Sequence, residues 1–351
     1  MYPHCAINRR RLLIHGMAIN INKAPNFYTQ FLNADYYGLY QAALTALSKG
    51  RLVVSYVMPF EEDVFNQQIK VLTTAILFGH PELFFVHPEI NYRYANGKMV
   101  MVMNSLYEDA DLDALDIELN NEIDCIANEL AKIDDKMEQL YKLNEYICLN
   151  YHPQDIYTSD NGNAYGVVAF GNARCEGFCK VASLVLAKLG IHSIVCVGDA
   201  FFHGQEVPHA WLAVSYNDKY YAFDYSYNAS YTHAPAVCPV FTFLNKETVN
   251  VDRKEDFDYP ICDDDSYLFW KMHHGDIHYI SELGQADVIR RDNAYLSVHH
   301  LIDFPELSDY DRRYTIYDWI DANCAPFVRG FHYSYEYFDC LHILCVYYFN
   351  D

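Results

Sequence analysis

The sequence predicts an α+β protein, and three observations carry that expectation. Apolar residues recur at helical spacing in separate stretches, an Asn-Gly pair lies between alternating apolar residues, and after Arg174 a helical pattern gives way to closely spaced strand patterns. At 351 residues and 40.8 kDa the chain has the length of about two average domains.

The elements follow in order. From Glu62 to Phe78, the apolar residues Phe65, Ile69, Leu72 and Ile76 form one helical face, ended by Gly79 and Pro81. Tyr92 and Tyr94 alternate into Asn96-Gly97, with Met99 and Met101 beyond; Asn-Gly supplies the positive φ angles of a two-residue hairpin turn. Between Leu112 and Leu149 the set Ile123, Ile126, Leu130, Ile133, Met137, Leu140 and Ile147 keeps helical spacing, with Asp135 and Glu138 placed as a capping box at an internal restart. Two helices, or one with a joint, are expected. The stretch Tyr151 to Asn172 is rich in Asp, Asn, Gly and Pro and reads as a loop. Cys175 to Gly190 reads as a helix with Phe178, Ala182, Val185 and Leu189 on one stripe, and Gly190 suits its left-handed cap. Strands are expected at Ile191 to Gly198, His209 to Tyr216 and, across a turn at Asn217-Asp218, Lys219 to Ser226. Near the end, Tyr337 to Tyr348 has strand character.

Composition narrows the function. With 25 Lys+Arg against 47 Asp+Glu, a net charge of −22, the chain lacks the basic surface that attracts nucleic acid or anionic membrane. The longest apolar runs, such as Val71 to Phe78, are too short for a bilayer span, so no membrane span is expected. Eleven scattered cysteines form no disulfide frame, and the signal-like stretch Arg9 to Ile19 is broken by His15. A reduced, cytoplasmic protein is the expectation, with secretion the alternative.

The residues that carry chemistry begin at Cys175. A helix amino terminus favours a thiolate through its exposed N–H groups and dipole, and Cys175 lies in the first turn. His209, at the start of a strand, suits the role of base. Asp224 is expected on the neighbouring strand. A register centred on Asn217-Asp218 sets His209 opposite Ser226, with Asp224 as its diagonal neighbour on the same face, positioned to fix the imidazole tautomer.

The order and spacing of Gly171-Asn172-Ala173-Arg174-Cys175-Glu176-Gly177-Phe178, then Leu189-Gly190-Ile191, Val197-Gly198, His209-Ala210-Trp211, Tyr220-Tyr221 and Phe223-Asp224 resemble the core of the transglutaminase-like superfamily. The resemblance is strongest over residues 137 to 230; Glu145-Tyr146-Ile147 and Tyr259-Pro260 are similar to flanking parts of bacterial members. It implies a papain-like core, a helix packed on an antiparallel sheet, in which Cys175, His209 and Asp224 form a catalytic triad. Three regions follow: an N-terminal α/β region at 1–110, the catalytic core with its leading helices at 111–245, and a β-rich region at 246–351. The implied reaction is acyl transfer on amide bonds through a thioester, more readily hydrolytic than cross-linking, with a protein or peptide as substrate and no cofactor or metal. A transglutaminase forming isopeptide bonds and a catalytically silent protein-binding module are the alternatives.

Leu212 stands where bacterial members often have Asn, and Tyr225-Ser226 where they have Pro-Thr. Papain-type enzymes place a glutamine before the nucleophile to help hold the oxyanion; here that stretch is Val167 to Phe170, which leaves Tyr165 as a weak substitute. Cys179 is assigned to packing. The groups His273, His274, His278 and Cys340, His342, Cys345 have ligand chemistry without a metal-site spacing, and Asp263 to Asp265 reads as a solvated turn.

Overall fold

A computed structural model of the chain describes residues 21, 26–108, 110–154, 156–158, 160–202, 205–230, 253–262, 278–280, 300–303, 332–338 and 343–349. A short 3-10 helix at Phe27–Phe31 leads into α1 (Ala34–Leu47), β1 (Val53–Val57), α2 (Glu62–Leu77), β2 (Asn91–Ala95) and β3 (Lys98–Val102). Next come α3 (Leu112–Leu130), α4 (Lys136–Asn150), β4 (His152–Pro153), α5 (Ala164–Phe170), β5 (Asn172–Ala173) and α6 (Cys175–Lys188). β6 (Ser193–Phe202), β7 (Gln205–Tyr216), β8 (Lys219–Phe223) and α7 (Tyr225–Ser230) complete the central part, and β9 (Arg253–Glu255) follows. The fold is α+β, as expected.

The local signals operate as the sequence predicts. The hairpin β2–β3 turns at Asn96 (φ 52°) and Gly97 (φ 72°), and β3 pairs with β1 on its other edge. The joint between α3 and α4 lies at Asp135, whose carboxylate accepts the N–H groups of Met137 and Glu138. Leu72, Ile76, Ile123, Ile126, Leu130, Met137, Leu140 and Ile147 all lie in one continuous hydrophobic core, which extends from Tyr28 to Tyr259.

The expected loop at Tyr151 to Asn172 instead contains α5 and the two-residue parallel pair β4–β5. Asn163 makes α5 possible by capping it, its Oδ1 accepting the Gly166 N–H at 2.8 Å. The sheet that carries the site has the order β8-β7-β6-β9. Its β7–β8 turn puts Asn217 (φ 49°) and Asp218 (φ 61°) in the left-handed region, and the register runs from Tyr216↔Lys219 to Leu212↔Phe223, as the turn predicts.

The expected strand Lys219 to Ser226 ends early: β8 stops at Phe223 and the chain enters α7 at Tyr225, leaving Asp224 at the corner. The cause is a change of partner. Tyr225 buries its ring against Phe223, and Asn228 returns its backbone N–H to the Asp224 carbonyl, closing a helical turn. A separate antiparallel pair, β12 (His332–Phe338) with β13 (Ile343–Phe349), matches the strand character near Tyr337 to Tyr348. It joins β10 (His278–Ile280) and β11 (His300–Asp303) in the order β10-β11-β13-β12. The signal-like segment, Asp263 to Asp265, His273, His274, Cys340 and His342 lie outside the described residues.

Candidate active site

The site is built where the amino terminus of α6 meets the middle of β7; the strand begins at Gln205, four residues before the expected start at His209, because β6 continues to pair with it as far as Phe202↔Gln205. Arg174, the residue before the helix, makes no side-chain cap, so the first N–H groups of α6, Cys175 among them, are not satisfied by a capping side chain. The preceding loop fixes this point. The buried Asn161 donates to the Ile156 carbonyl at 2.7 Å and takes the Thr158 N–H, while its own carbonyl receives the Arg174 N–H at 2.8 Å. Contact is so close that a Cβ on Gly177 would lie 2.3 Å from the Asn161 oxygen; only glycine fits there.

His209 and Asp224 come together, but not through the expected pairing of His209 with Ser226: the β7–β8 ladder ends at Leu212↔Phe223, and Asp224 meets the imidazole from the corner before α7. His209 Nε2 and Asp224 Oδ2 are 2.7 Å apart, with both side chains buried. Asp224 is oriented further by Ser226, whose hydroxyl donates to its other oxygen at 2.9 Å. Trp211, two residues along β7, stacks on the imidazole with ring centroids 6.3 Å apart, and Tyr259 meets Trp211 edge-on. Leu212 is fully buried between Val195 and Phe223 on the neighbouring strands, which explains an apolar residue there.

Cys175 lies beside Ala210, the residue after His209, and a hydrogen bond from the Ala210 backbone to the sulfur favours the thiolate. The strand pairing explains why this contact is available: Val197, opposite Ala210 on β6, directs its N–H outward to Tyr259, so Ala210 faces the side left empty where β8 ends. The net effect on the thiol differs from the expectation. Burial pushes the Cys175 thiol well up from its ordinary range, and the Glu176 carboxylate, 3.2 Å from Sγ as acceptor of the S–H, adds to it. A helix terminus does not by itself outweigh desolvation and an adjacent anion.

Cys179, one turn on, is fully buried, in keeping with packing. Tyr165 is committed elsewhere: its hydroxyl donates to Glu118 at 2.8 Å and its ring packs on Phe84 and Tyr107. Three residues at the site escaped sequence reasoning: Glu176 at the thiol, Ser226 on Asp224, and Asn228. The last donates to Asn144 on α4 at 2.7 Å, docking the helix that begins after Asp224. Ser226 alone stood out in the sequence, as the residue expected opposite His209, but its bond to Asp224 follows from the turn into α7.

No protein-family model matches the sequence, and no curated protein matches it. Among solved structures, the chain is similar to a Cytophaga hutchinsonii protein provisionally assigned as a cysteine protease, at 14% identity and a TM-score of 0.28 over 39% of this chain and 61% of that one. It is also similar to a protein described as a TGase, at 16% identity and a TM-score of 0.26 over 49% of this chain and 50% of that one.

Proposed function

We propose that the chain is a transglutaminase-like cysteine enzyme that transfers acyl groups from amide bonds, with Cys175 as nucleophile, His209 as proton carrier and Asp224 as the group that orients the imidazole. The reading is carried by one observation: a buried histidine–carboxylate pair at 2.7 Å adjoins the residue whose backbone bonds a cysteine sulfur at the start of a helix.

With Nε2 committed to Asp224, proton exchange with the thiol runs through Nδ1. The Cys175 S–H proton passes to His209 as sulfur adds to the amide carbonyl carbon, and the oxyanion is received by the Cys175 N–H. Collapse breaks the C–N bond, the imidazolium gives its proton to the departing amine, and the acyl group stays on sulfur as a thioester. Water, activated by His209, then releases the acid and restores the thiol; an amine in place of water gives the cross-linking outcome. Hydrolysis of a peptide or related amide is the reading we favour. The reaction belongs to the region 111–245, and the free thiols of Cys125, Cys148, Cys175, Cys179, Cys196 and Cys262 suit a reducing compartment.

A silent protein-binding module is the second reading, and what favours it is the upward push on the half-buried Cys175 thiol from desolvation and the adjacent Glu176 carboxylate. The test is turnover of peptide amides, with and without added lysine-like amines, for wild type, Cys175→Ala and His209→Ala, product masses being read directly. Loss of wild-type turnover in both variants supports the enzyme; no turnover in wild type, with binding of peptide intact, supports the module.

A further inference from the structure

The nearest charged group to the Cys175 sulfur is Glu176, and its environment gives it a defined place. One carboxylate oxygen, Oε2, accepts from Sγ at 3.2 Å; the other, Oε1, lies 3.4 Å from Arg174 Nη1. A Cβ on Gly162 would sit 2.8 Å from Oε1, so the glycine leaves the room that the carboxylate occupies. The Gly162 carbonyl in turn is held at 2.9 Å by the ammonium of Lys180, one turn down α6. Glu176 is therefore seated between a guanidinium and a thiol.

The proton on sulfur is contested by groups from each element packed there. The Ala210 backbone favours the thiolate, whereas Glu176 on α6 and Asp224 at the end of β8 oppose it. His209 on β7 adjoins Ala210, Cys179 lies one turn below on α6, and Lys180 and Arg174 supply the positive charges facing Glu176.

We propose that Glu176 is a positioning residue that holds the Cys175 thiol as a hydrogen-bond donor in a protonated resting form, with Arg174 as the partner to which the carboxylate withdraws when the proton leaves sulfur. The inference rests on Cys175 being the reacting group. When the proton moves to His209, thiolate and carboxylate repel at their short separation. The 3.4 Å pair with Arg174 then tightens and removes the carboxylate's negative charge from the sulfur. The half-exposed Tyr157 side, where the Arg174 guanidinium stacks at 5.3 Å from the ring centre, steadies that partner.

The test is iodoacetamide alkylation of Cys175 from pH 6 to 10, followed by peptide mapping. The thiolate displaces iodide to form a thioether, so the rate follows the thiolate population. Glu176→Gln is expected to react about tenfold faster at pH 7, the effect of a thiol one pKa unit more acidic, with the whole profile moved to lower pH. Arg174→Gln is expected to react more slowly, because the carboxylate loses the guanidinium that draws it away from the thiol. Opposite effects from adjacent residues are not produced by general loosening. Equal or slower labelling in Glu176→Gln, or acceleration in both variants, overturns the proposal; thermal melting identifies any variant that fails to fold, and Glu176→Asp, one methylene shorter, is its replacement with the same expected direction. His209→Ala separates the two readings. If it labels like wild type while Glu176→Gln accelerates, the acyl-transfer reading fails and the role of Glu176 stands. If it slows labelling while Glu176→Gln has no effect, the reverse holds.

Discussion

Asp224 meets His209 at 2.7 Å while receiving the Ser226 hydroxyl on its other oxygen, so each of its two acceptor atoms has a separate task. A neutral amide in its place keeps the shape but presents the wrong hydrogen-bonding group to the imidazole. Asp224→Asn is therefore expected to lower kcat by about 10³–10⁴-fold with the fold intact, measured by steady-state turnover of a responsive peptide beside a circular-dichroism melt. Cys175→Ala is expected to abolish turnover of the same peptide, whereas Cys179→Ala, which removes only a buried sulfur, is expected to keep most of it; equal losses would place the nucleophile elsewhere. The approach of Asp224 to His209 was legible in the sequence because turn chemistry at Asn217-Asp218 fixes the β7–β8 register as far as Phe223; the expected pairing of His209 with Ser226 was not, because α7 begins before it can form. Glu176 was not legible as the thiol's partner: its contact depends on rotamers and on the space left by Gly162, neither of which has a periodicity.

The helix and strand patterns survive folding where they are long. α2, α3, α4 and α6 each present several apolar residues to one core; Asp111 and Asp135 cap the starts of α3 and α4, and Gly79 and Gly190 follow the ends of α2 and α6. α5 went unseen because seven residues give too few turns for a pattern, and its Asn163 cap is indistinguishable in sequence from the loop residues around it. The early end of β8 was equally hidden, since Tyr225 and Ser226 are acceptable in strands and only the docking of Asn228 on Asn144 draws them into a helix. Two changes probe these elements. Gly177→Ala forces a methyl against the Asn161 carbonyl and is expected to cost about 1–3 kcal/mol in urea unfolding, with loss of Cys175 reactivity beyond what the stability change explains. Asn217→Val places a β-branched residue at positive φ and is expected to destabilise by about 1–2 kcal/mol without altering the fold.

At the scale of the whole molecule, the N-terminal segment is bound to the site sheet through aromatic rings. The Tyr28 hydroxyl donates to the Val195 carbonyl, and its ring packs against Phe257 and Tyr259. Tyr28→Phe leaves that buried carbonyl without its donor and is expected to cost about 1–3 kcal/mol, with faster hydrogen exchange along β6 as the local sign. No helix among the described residues is long and apolar enough to cross a membrane. β9 covers β6 only from Gly198 to Ala200. Beyond that point the Tyr259 hydroxyl accepts the Val197 N–H and donates to the Val197 carbonyl, and the Tyr28 hydroxyl donates to the Val195 carbonyl. Among the described residues, two phenols thus take the place of a strand beside Val195 and Val197. Their consequence is protective: an edge whose polar groups are already occupied by side chains offers no template to a foreign chain, so loss of both hydroxyls would turn a working sheet into a seed for self-association.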